Sequence, residues 1–282
     1  MTSPLYGSHR ETDEFPMFQR AGLRLMRRMA QAGMATFGGV GARVDFMRQT
    51  IIALGFVRTW APLVVRQMRS IGVSSLPLTA IVAAFIGSVI ALQTRYQLFP
   101  GIQLSVVGLI ARQSLILELG PLLTGLVLTG RVGARMTAEI GTMRVTEQID
   151  ALETLAYNPV AYLVVPRVIA GTIMLPLLVV FADAIGVLMA FFTAIFATDV
   201  TWNQFSEGLR LSFSIFQVFY SLLKATIFGI AISFFCSYEG YTADVGAEGV
   251  GRSTASAVVL TSVAILVLDA LTAIMLAPYL QG

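Results

Sequence analysis

The chain has few charged residues and almost no lysine, cysteine or histidine. Charged residues make up 12% of its 282 residues, about half the share found in a typical soluble domain. Hydrophobic residues make up 56%, and the mean hydropathy is +0.78. This balance excludes a disordered chain and argues against an ordinary soluble domain.

The scarcity of lysine and cysteine excludes two kinds of site. Eighteen of the 19 basic residues are arginines, and the single lysine, Lys224, follows a leucine. A P-loop needs a lysine directly after a glycine, so the chain is not a Walker-type ATPase. Cys236 and His9 are the only residues of their types, which is too little for a disulfide or a zinc site. We therefore expect no catalytic residue, metal or cofactor on this chain.

The first seventy residues are the polar part of the chain. They contain ten arginines and four acidic residues, a net charge of +6, and no apolar core of a signal peptide. Residues 18–37 alternate an apolar face with an arginine face, which predicts an amphipathic helix on an anionic membrane surface. A solvated helix packed on a partner protein is the alternative. A second such stretch covers 56–70 and carries Trp60.

Five segments are apolar enough to cross a membrane, for which about 20 residues are needed. They are residues 71–94, 113–130, 168–198, 211–238 and 254–280. The stretch 101–111 is too short to span alone, and either extends the second helix or forms a re-entrant element. The sequence thus predicts an all-α integral membrane protein, with interfacial helices in residues 1–70 and a five-span domain in 71–282.

The distribution of basic residues predicts the orientation. With a cytoplasmic N-terminus, the inside segments 1–70, 131–167 and 239–252 hold fifteen basic residues, and the outside segments hold three. Positive charge accumulates on the cytoplasmic side, so this orientation is preferred. An odd number of spans then places the C-terminus outside.

The segment 131–167 predicts a docking element. Residues 138–155 form a helical pattern, with Thr137 as its N-cap and Asn158-Pro159 ending it. Its mixed charge favours a docking helix for a soluble partner over a merely solvated connector.

The run at 118–159, ELGPLLTGLVLTGRVGARMTAEIGTMRVTEQIDALETLAYNP, resembles the signature of the MlaE/YrbE permease family. These proteins are the membrane subunits of ABC transporters that work with MCE-domain proteins. Further matches follow in the family's order: VRQMRSIGV at 65–73, FIGSVIALQ at 85–93, PRVIAGTIMLPLL at 166–178 and GVGRSTASAVV at 249–259.

The resemblance implies a homodimer in a bacterial inner membrane, with the C-terminus in the periplasm. It implies an MlaF-like cytoplasmic ATPase that binds the ATP, an MlaD-like MCE protein on the outer side, and room for a small cytoplasmic accessory subunit. The cargo would be phospholipid, and no nucleic acid is expected. A secondary carrier coupled to ions and a non-transporting scaffold are the competing interpretations.

The resemblance also implies two sets of site residues. The lipid cavity would be lined at the end of the first span and the start of the second, by Ile90, Gln93, Leu98, Glu118 and Leu119. The ATPase would contact Glu139, Arg144, Glu147, Asp150 and Glu153.

Four charged residues lie inside the apolar segments: Glu118, Asp183, Lys224 and Asp269. Such residues are functional candidates by default. Glu118 precedes Pro121, which interrupts the helical ladder, so its carboxylate either faces a lipid headgroup or pairs with Lys224 or Arg112. For the other three we expect mutual neutralisation between neighbouring helices.

Overall fold

The computed structural model describes residues 39–276 and Tyr279. All regular secondary structure within these residues is helical. The described residues divide into two units between Arg48 and Gln49, and the second holds the helix Val57–Ile71 and all later helices. The amphipathic helix predicted over 18–37 lies outside the described residues, and the predicted domain boundary at residue 70 stays a prediction.

The described chain forms eleven α-helices. The first, α1, covers residues 39–53. The others are α2 (Val57–Ile71), α3 (Leu76–Gln97), α4 (Ser105–Ser114), α5 (Gly120–Leu128), α6 (Ala134–Val145), α7 (Gln148–Thr154), α8 (Val165–Ala197), α9 (Trp202–Arg210), α10 (Ile215–Tyr241) and α11 (Ala247–Leu276). Three π-helical turns lie at Leu115–Leu119, Thr129–Gly133 and Val160–Val164.

Five helical stretches are long and apolar enough to cross a membrane, which confirms the predicted number of spans. They are Val57–Gln97, Ser105–Val145, Val160–Ala197, Ile215–Tyr241 and Ala247–Leu276. The second begins earlier than the sequence predicted because the short apolar stretch 101–111 lies largely in α4. Between the two alternatives for that stretch, the structure therefore shows an extension of the second helix.

The single helix predicted over 138–155 is wrong. The chain leaves the helical conformation at Thr146, and Glu147 adopts a left-handed backbone with φ of 58° before α7 starts. Thr137 is no N-cap either, because it lies inside α6, where its hydroxyl donates to the carbonyls of Gly133 and Cys236. Periodicity continues across this break, so the pattern of apolar residues concealed it.

Pairs of small residues allow the long helices to approach closely. A Cβ on Gly87 of α3 would overlap the carbonyl oxygen of Gly186 in α8, and one on Gly229 of α10 would overlap that of Gly171 in α8. Helices in lipid associate through such close backbone packing, because no hydrophobic effect drives them together there. The glycine pairs thereby hold α3 and α10 against α8.

Helix α10 occupies the centre of the described unit. It packs against α5, α6, α8 and α11, and its buried positions include both aromatic and polar side chains. The opposite situation holds for α11, whose outer face exposes large apolar side chains such as Val259, Ile274 and Met275. A polar group on α10 is therefore surrounded by helices rather than by lipid.

Candidate functional site

The central feature of the helical body is a polar cluster around Lys224 of α10. The lysine side chain is fully buried, and its Nζ lies 2.6 Å from Glu118 Oε2 and 2.8 Å from Asp269 Oδ1. These partners come from the second and fifth spans, so one ammonium group joins three membrane-length helices. Within the membrane a lone charge is very costly, and pairing of this kind removes most of that cost.

The π-helical turn at Leu115–Leu119 positions Glu118 for this contact. Pro121 has no N–H, so it cannot donate to the carbonyl of Leu117 four residues earlier. Lys224 Nζ lies 3.4 Å from that same carbonyl oxygen and donates to it. The interruption predicted from Pro121 is thus present, and π-turns of this kind are frequent at functional sites.

Two neighbours of Lys224 on α10 extend the cluster. The Lys224 ammonium lies 4.8 Å from the ring centroid of Tyr220, whose hydroxyl donates to Glu118 Oε1 at 3.4 Å. Ser221 donates to Asp183 Oδ2 at 3.5 Å. Asp183 reaches the second span because Gly120 leaves it room, since a Cβ there would overlap Asp183 Oδ1.

The cluster has an excess of negative charge when its groups are ionised. Two carboxylates, Glu118 and Asp269, share a single ammonium, and Asp183 adds a third carboxylate next to them. The Glu118 side chain remains 46% exposed in the single chain. A half-exposed carboxylate beside a buried lysine is able to bind a cation or the amine of a lipid headgroup at its open side.

Arg112, the other partner considered for Glu118, does something else. It is 3% exposed, donates to the carbonyl of Leu211 at 2.9 Å and lies over the Phe213 ring at 5.2 Å. It therefore anchors the loop that leads into α10. Of the two pairings open from the sequence, the structure has the one with Lys224.

The residues predicted to line a lipid cavity do not form one pocket within the described chain. Ile90 and Leu98 pack against the same apolar cluster around Phe205, and Gln93 is exposed. Leu119 lines a separate small hollow with Val82 and Ile86 of α3.

Glu118 faces Lys224. Because neighbouring helical residues point about 100° apart, Glu118 and Leu119 belong to different surfaces of their helix. Their joint role in lipid binding stays a prediction.

The residues predicted to contact an ATPase lie on α6 and α7. Arg144 of α6 bridges to Asp150 of α7 at 2.8 Å across the break at Glu147, and Ile149 is fully buried. Glu139 instead pairs with Arg135 and Arg167 while remaining partly exposed. The break at Glu147 thus sets the angle between α6 and α7. Glu139 and Asp150, both predicted to contact the ATPase, take part in different ion pairs.

Helix α7 ends in a tight cap that exposes apolar side chains. Ala156 has a φ of 61°, and the N–H of Tyr157 donates to the carbonyl of Leu152 at 3.0 Å, the hydrogen bond of a Schellman cap. Leu155 and Tyr157 are 68% and 52% exposed. Exposed apolar side chains rimmed by charges are typical of protein contact sites.

Sequence reasoning missed Tyr220, Ser221 and Gly120. Tyr220 lies four residues before Lys224, a spacing that places both on one helix face, so it was open to detection once Lys224 had been singled out. Ser221 and Gly120 carry no such signal, because their role depends on which helices are neighbours.

The sequence matches the family model described as permease MlaE over residues 64–275. It is 33% identical over 254 residues to the intermembrane phospholipid transport system permease protein MlaE of Haemophilus influenzae, which covers 88% of this chain and 92% of that protein. A probable ABC transporter permease protein of Rickettsia prowazekii is 43% identical over 205 residues, 73% of this chain and 79% of the relative. Another, from Synechocystis, is 38% identical over 203 residues, 71% of this chain and 76% of the relative.

Proposed function

Because the chain belongs to the MlaE permease family, we propose that it is the permease subunit of an ABC transporter that moves phospholipid between the inner and outer membranes of a bacterial envelope. The observation that carries this proposal is the similarity to the Haemophilus phospholipid permease over 88% of the chain. The residues that match the family model, 64–275, include the polar cluster and the α6–α7 segment. An MlaD-like MCE protein on the outer side and a small cytoplasmic accessory subunit complete the proposed complex.

A separate MlaF-like ATPase supplies the energy, because this chain has no lysine in a P-loop context. On this chain, the surface that binds the ATPase is α7, together with the exposed Leu155 and Tyr157 at the end of that helix. The Arg144–Asp150 bridge and the buried Ile149 hold α7 against α6. A push on α7 is therefore transmitted to α6, which is continuous with the second span and hence with Glu118.

The transported lipid binds between two copies of the chain. Within the described part of one copy, Ile90, Leu98 and Leu119 do not line a common pocket. A two-chain lipid needs apolar walls for each methylene removed from the bilayer. A C2 homodimer would supply the second wall, and the exposed apolar face of α11 is compatible with contact to a second copy as well as to lipid. Gln93 and the half-exposed Glu118 then provide the polar mouth.

The protein lies in the inner membrane with its N-terminus in the cytoplasm and its C-terminus in the periplasm. The excess of basic residues on one side supports this orientation. Cysteine labelling at Thr142→Cys checks it, since an impermeant reagent added to intact cells should fail to react there. Efficient labelling would show that residue 142 lies outside the cytoplasm and that the proposed orientation is wrong.

Lipid transfer between liposomes by the reconstituted complex tests the proposed function. We expect transfer that requires ATP, and transfer driven by an ion gradient without ATP would favour a secondary carrier instead. Leu98→Asp and Leu119→Asp should abolish transfer, because a charge disfavours acyl chains by a few kcal/mol.

The volume-conserving controls Leu98→Met and Leu119→Met should transfer lipid at nearly the rate of the unmodified protein. Normal transfer and normal lipid content in both aspartate variants would show that Leu98 and Leu119 do not line the lipid cavity. If the complex assembles and hydrolyses ATP but transfers no phospholipid, the proposed transport function is refuted.

A further inference from the structure

A polar cavity lies outside the Lys224 cluster and shares no residue with it. It has a volume of about 350 Å³ and lies between α2, α6 and the start of α8. Its charged wall consists of Arg66 from α2, Arg135 and Glu139 from α6, and Arg167 from α8. None of these positions belongs to the predicted lipid path, and only Glu139 was considered for the contact with the ATPase.

The cavity is strongly positive. Three guanidinium groups face one carboxylate, which gives a net charge of +2. Both oxygens of Glu139 are already engaged, Oε1 by Arg135 Nε at 2.7 Å and Oε2 by an Arg167 terminal nitrogen at 3.3 Å. The carboxylate therefore orients the arginines without neutralising them, and the remaining N–H groups are left for a ligand.

Arg167 is a buried arginine whose hydrogen bonds within the described chain are incomplete. The residue is 5% exposed, and one terminal nitrogen donates to the carbonyl of Leu163 at 2.6 Å. Its Nε has no hydrogen-bond partner among the described residues. A buried donor without an acceptor costs free energy, and charged donors cost more than neutral ones. An anion in the cavity would add acceptors for the guanidinium groups, whose charge Glu139 balances only in part.

The remaining walls fit an anion that carries an organic group. Gln67 and Ser70 add neutral hydrogen-bonding groups, and Leu63 and Met143 add apolar surface. Helix α2 also exposes Val65, 71% accessible, next to the cavity residue Arg66. Helix α2 is the amphipathic start of the first membrane-length stretch, and amphipathic helices favour the boundary between headgroups and acyl chains. We infer from this that the cavity lies near the depth of lipid phosphates.

We propose that this cavity binds the headgroup of an anionic phospholipid, with the phosphate held by Arg66, Arg135 and Arg167. Basic pockets between helices on the cytoplasmic side are suited to such headgroups. The assignment to the cytoplasmic leaflet rests on the orientation that is part of the proposed function. The binding of a phosphate by the three arginines does not depend on that orientation. The bound lipid joins α2 to α6 and is separate from the transported molecule.

Purified full-length protein in a neutral detergent tests this site. Thermal unfolding is followed during titration with dioctanoyl phosphatidylglycerol, dioctanoyl phosphatidylcholine or inorganic phosphate. We expect a saturable rise in Tm with the phosphatidylglycerol alone. An equal rise with phosphatidylcholine would contradict headgroup recognition, and saturation by inorganic phosphate at the same concentrations would show a site for free anions rather than lipid.

Charge-removing variants locate the site. Arg66→Gln combined with Arg135→Gln should weaken the apparent affinity for phosphatidylglycerol by about tenfold or more, since two charge-assisted contacts are lost. The matched control, Arg58→Gln with Arg69→Gln, removes the same charge from exposed positions of α2 outside the cavity and should bind as before. Arg66→Gln alone, which leaves the Glu139 pairs intact, keeps the test decisive should the double variant misfold. Unchanged affinity in the cavity variants would overturn the proposal.

Two further outcomes distinguish a lipid site from a protein contact and from the transport path. Cross-linking of Met143→Cys to the ATPase in the assembled complex, without a response to phosphatidylglycerol, would make the cavity a protein socket and overturn the lipid assignment. Loss of lipid transfer in the Leu98→Asp complex with an unchanged phosphatidylglycerol response would support a site distinct from the transport path. If the unmodified complex fails to transfer lipid but retains the phosphatidylglycerol response, the transport function is refuted and the assignment of this site still holds.

Discussion

Replacement of Lys224 by methionine tests the balance of charge inside the helical body. The substitution keeps the length and apolar stem of the side chain and removes only the ammonium group. Glu118 and Asp269 then lose the cation that lies 2.6 and 2.8 Å from their oxygens. Two carboxylates remain close together in a region surrounded by helices.

The expected cost follows from these distances. With an effective dielectric constant of about 20, each pair contributes about 6 kcal/mol of attraction. Desolvation of the buried ammonium and repulsion between the carboxylates offset most of it, so removing one partner of a buried pair costs about 3–5 kcal/mol. Glu118 is 46% exposed and thus partly screened. We therefore expect a loss of about 3 kcal/mol in the free energy of unfolding for Lys224→Met.

Unfolding of the purified protein by titration with dodecyl sulfate measures this loss. Thr226→Val on the same helix is the control, because its hydroxyl bonds only to the carbonyl of Leu222 in the described structure, and it should change the free energy by less than about 1 kcal/mol. Neutralising both carboxylates as well, in Lys224→Met with Glu118→Gln and Asp269→Asn, should restore most of the stability, since neither of the two groups that Lys224 balanced is then charged.

Two results would refute this reasoning. Lys224→Met with the stability of the unmodified protein would show that the lysine does not hold the carboxylates. A triple variant as unstable as the single one would show that charge balance is not the cause. A stable triple variant that no longer transfers lipid would assign the charges a role in transport beyond folding.

Other predictions concern packing, backbone strain and an exposed ion pair. Gly87→Leu should separate α3 from α8 at Gly186 and lower the free energy of unfolding by about 1–3 kcal/mol or more. The dodecyl sulfate titration measures this loss, and an unchanged midpoint would contradict the close approach of the two helices. Glu147 has a left-handed backbone, which disfavours side chains with a branched Cβ. Glu147→Gly should therefore be neutral or stabilising, and Glu147→Val should destabilise the protein by about 1–2 kcal/mol. Equal thermal midpoints for the two variants would contradict this strain. Hydrogen bonds from Arg95, at 2.5 and 2.7 Å, hold the pKa of Asp199 below its usual value. That carboxylate's contribution to stability is therefore complete above the unfolded pKa of about 3.9 and is lost as the pH falls through the lower folded pKa. Asp199→Asn should remove this part of the acid dependence of Tm, and an identical pH profile would rule the pair out as its source.

The number of spans was predictable because lipid imposes a strict local requirement. Every backbone polar group in the bilayer must be satisfied within its own helix, so an apolar segment of sufficient length is enough to identify a span. The five spans follow from this rule. The rule is silent about the wider turn at Leu115–Leu119, where Pro121 signals an interruption but not its geometry. It is equally silent about the break at Glu147, where the helical pattern of apolar residues continues through a non-helical residue.

The amino-acid sequence by itself determined the helical class, the five spans, the lack of a P-loop and the resemblance to a permease family. Each depends on composition or on short runs of residues. Only the tertiary structure decided that Lys224 pairs with Glu118 and Asp269, that Arg112 serves a loop instead, and that Arg66, Arg135 and Arg167 surround one cavity. These groups lie far apart along the chain, and helices in lipid choose their neighbours by close packing of small residues such as Gly87 and Gly186. Which charges meet is a consequence of that packing, and no local pattern encodes it.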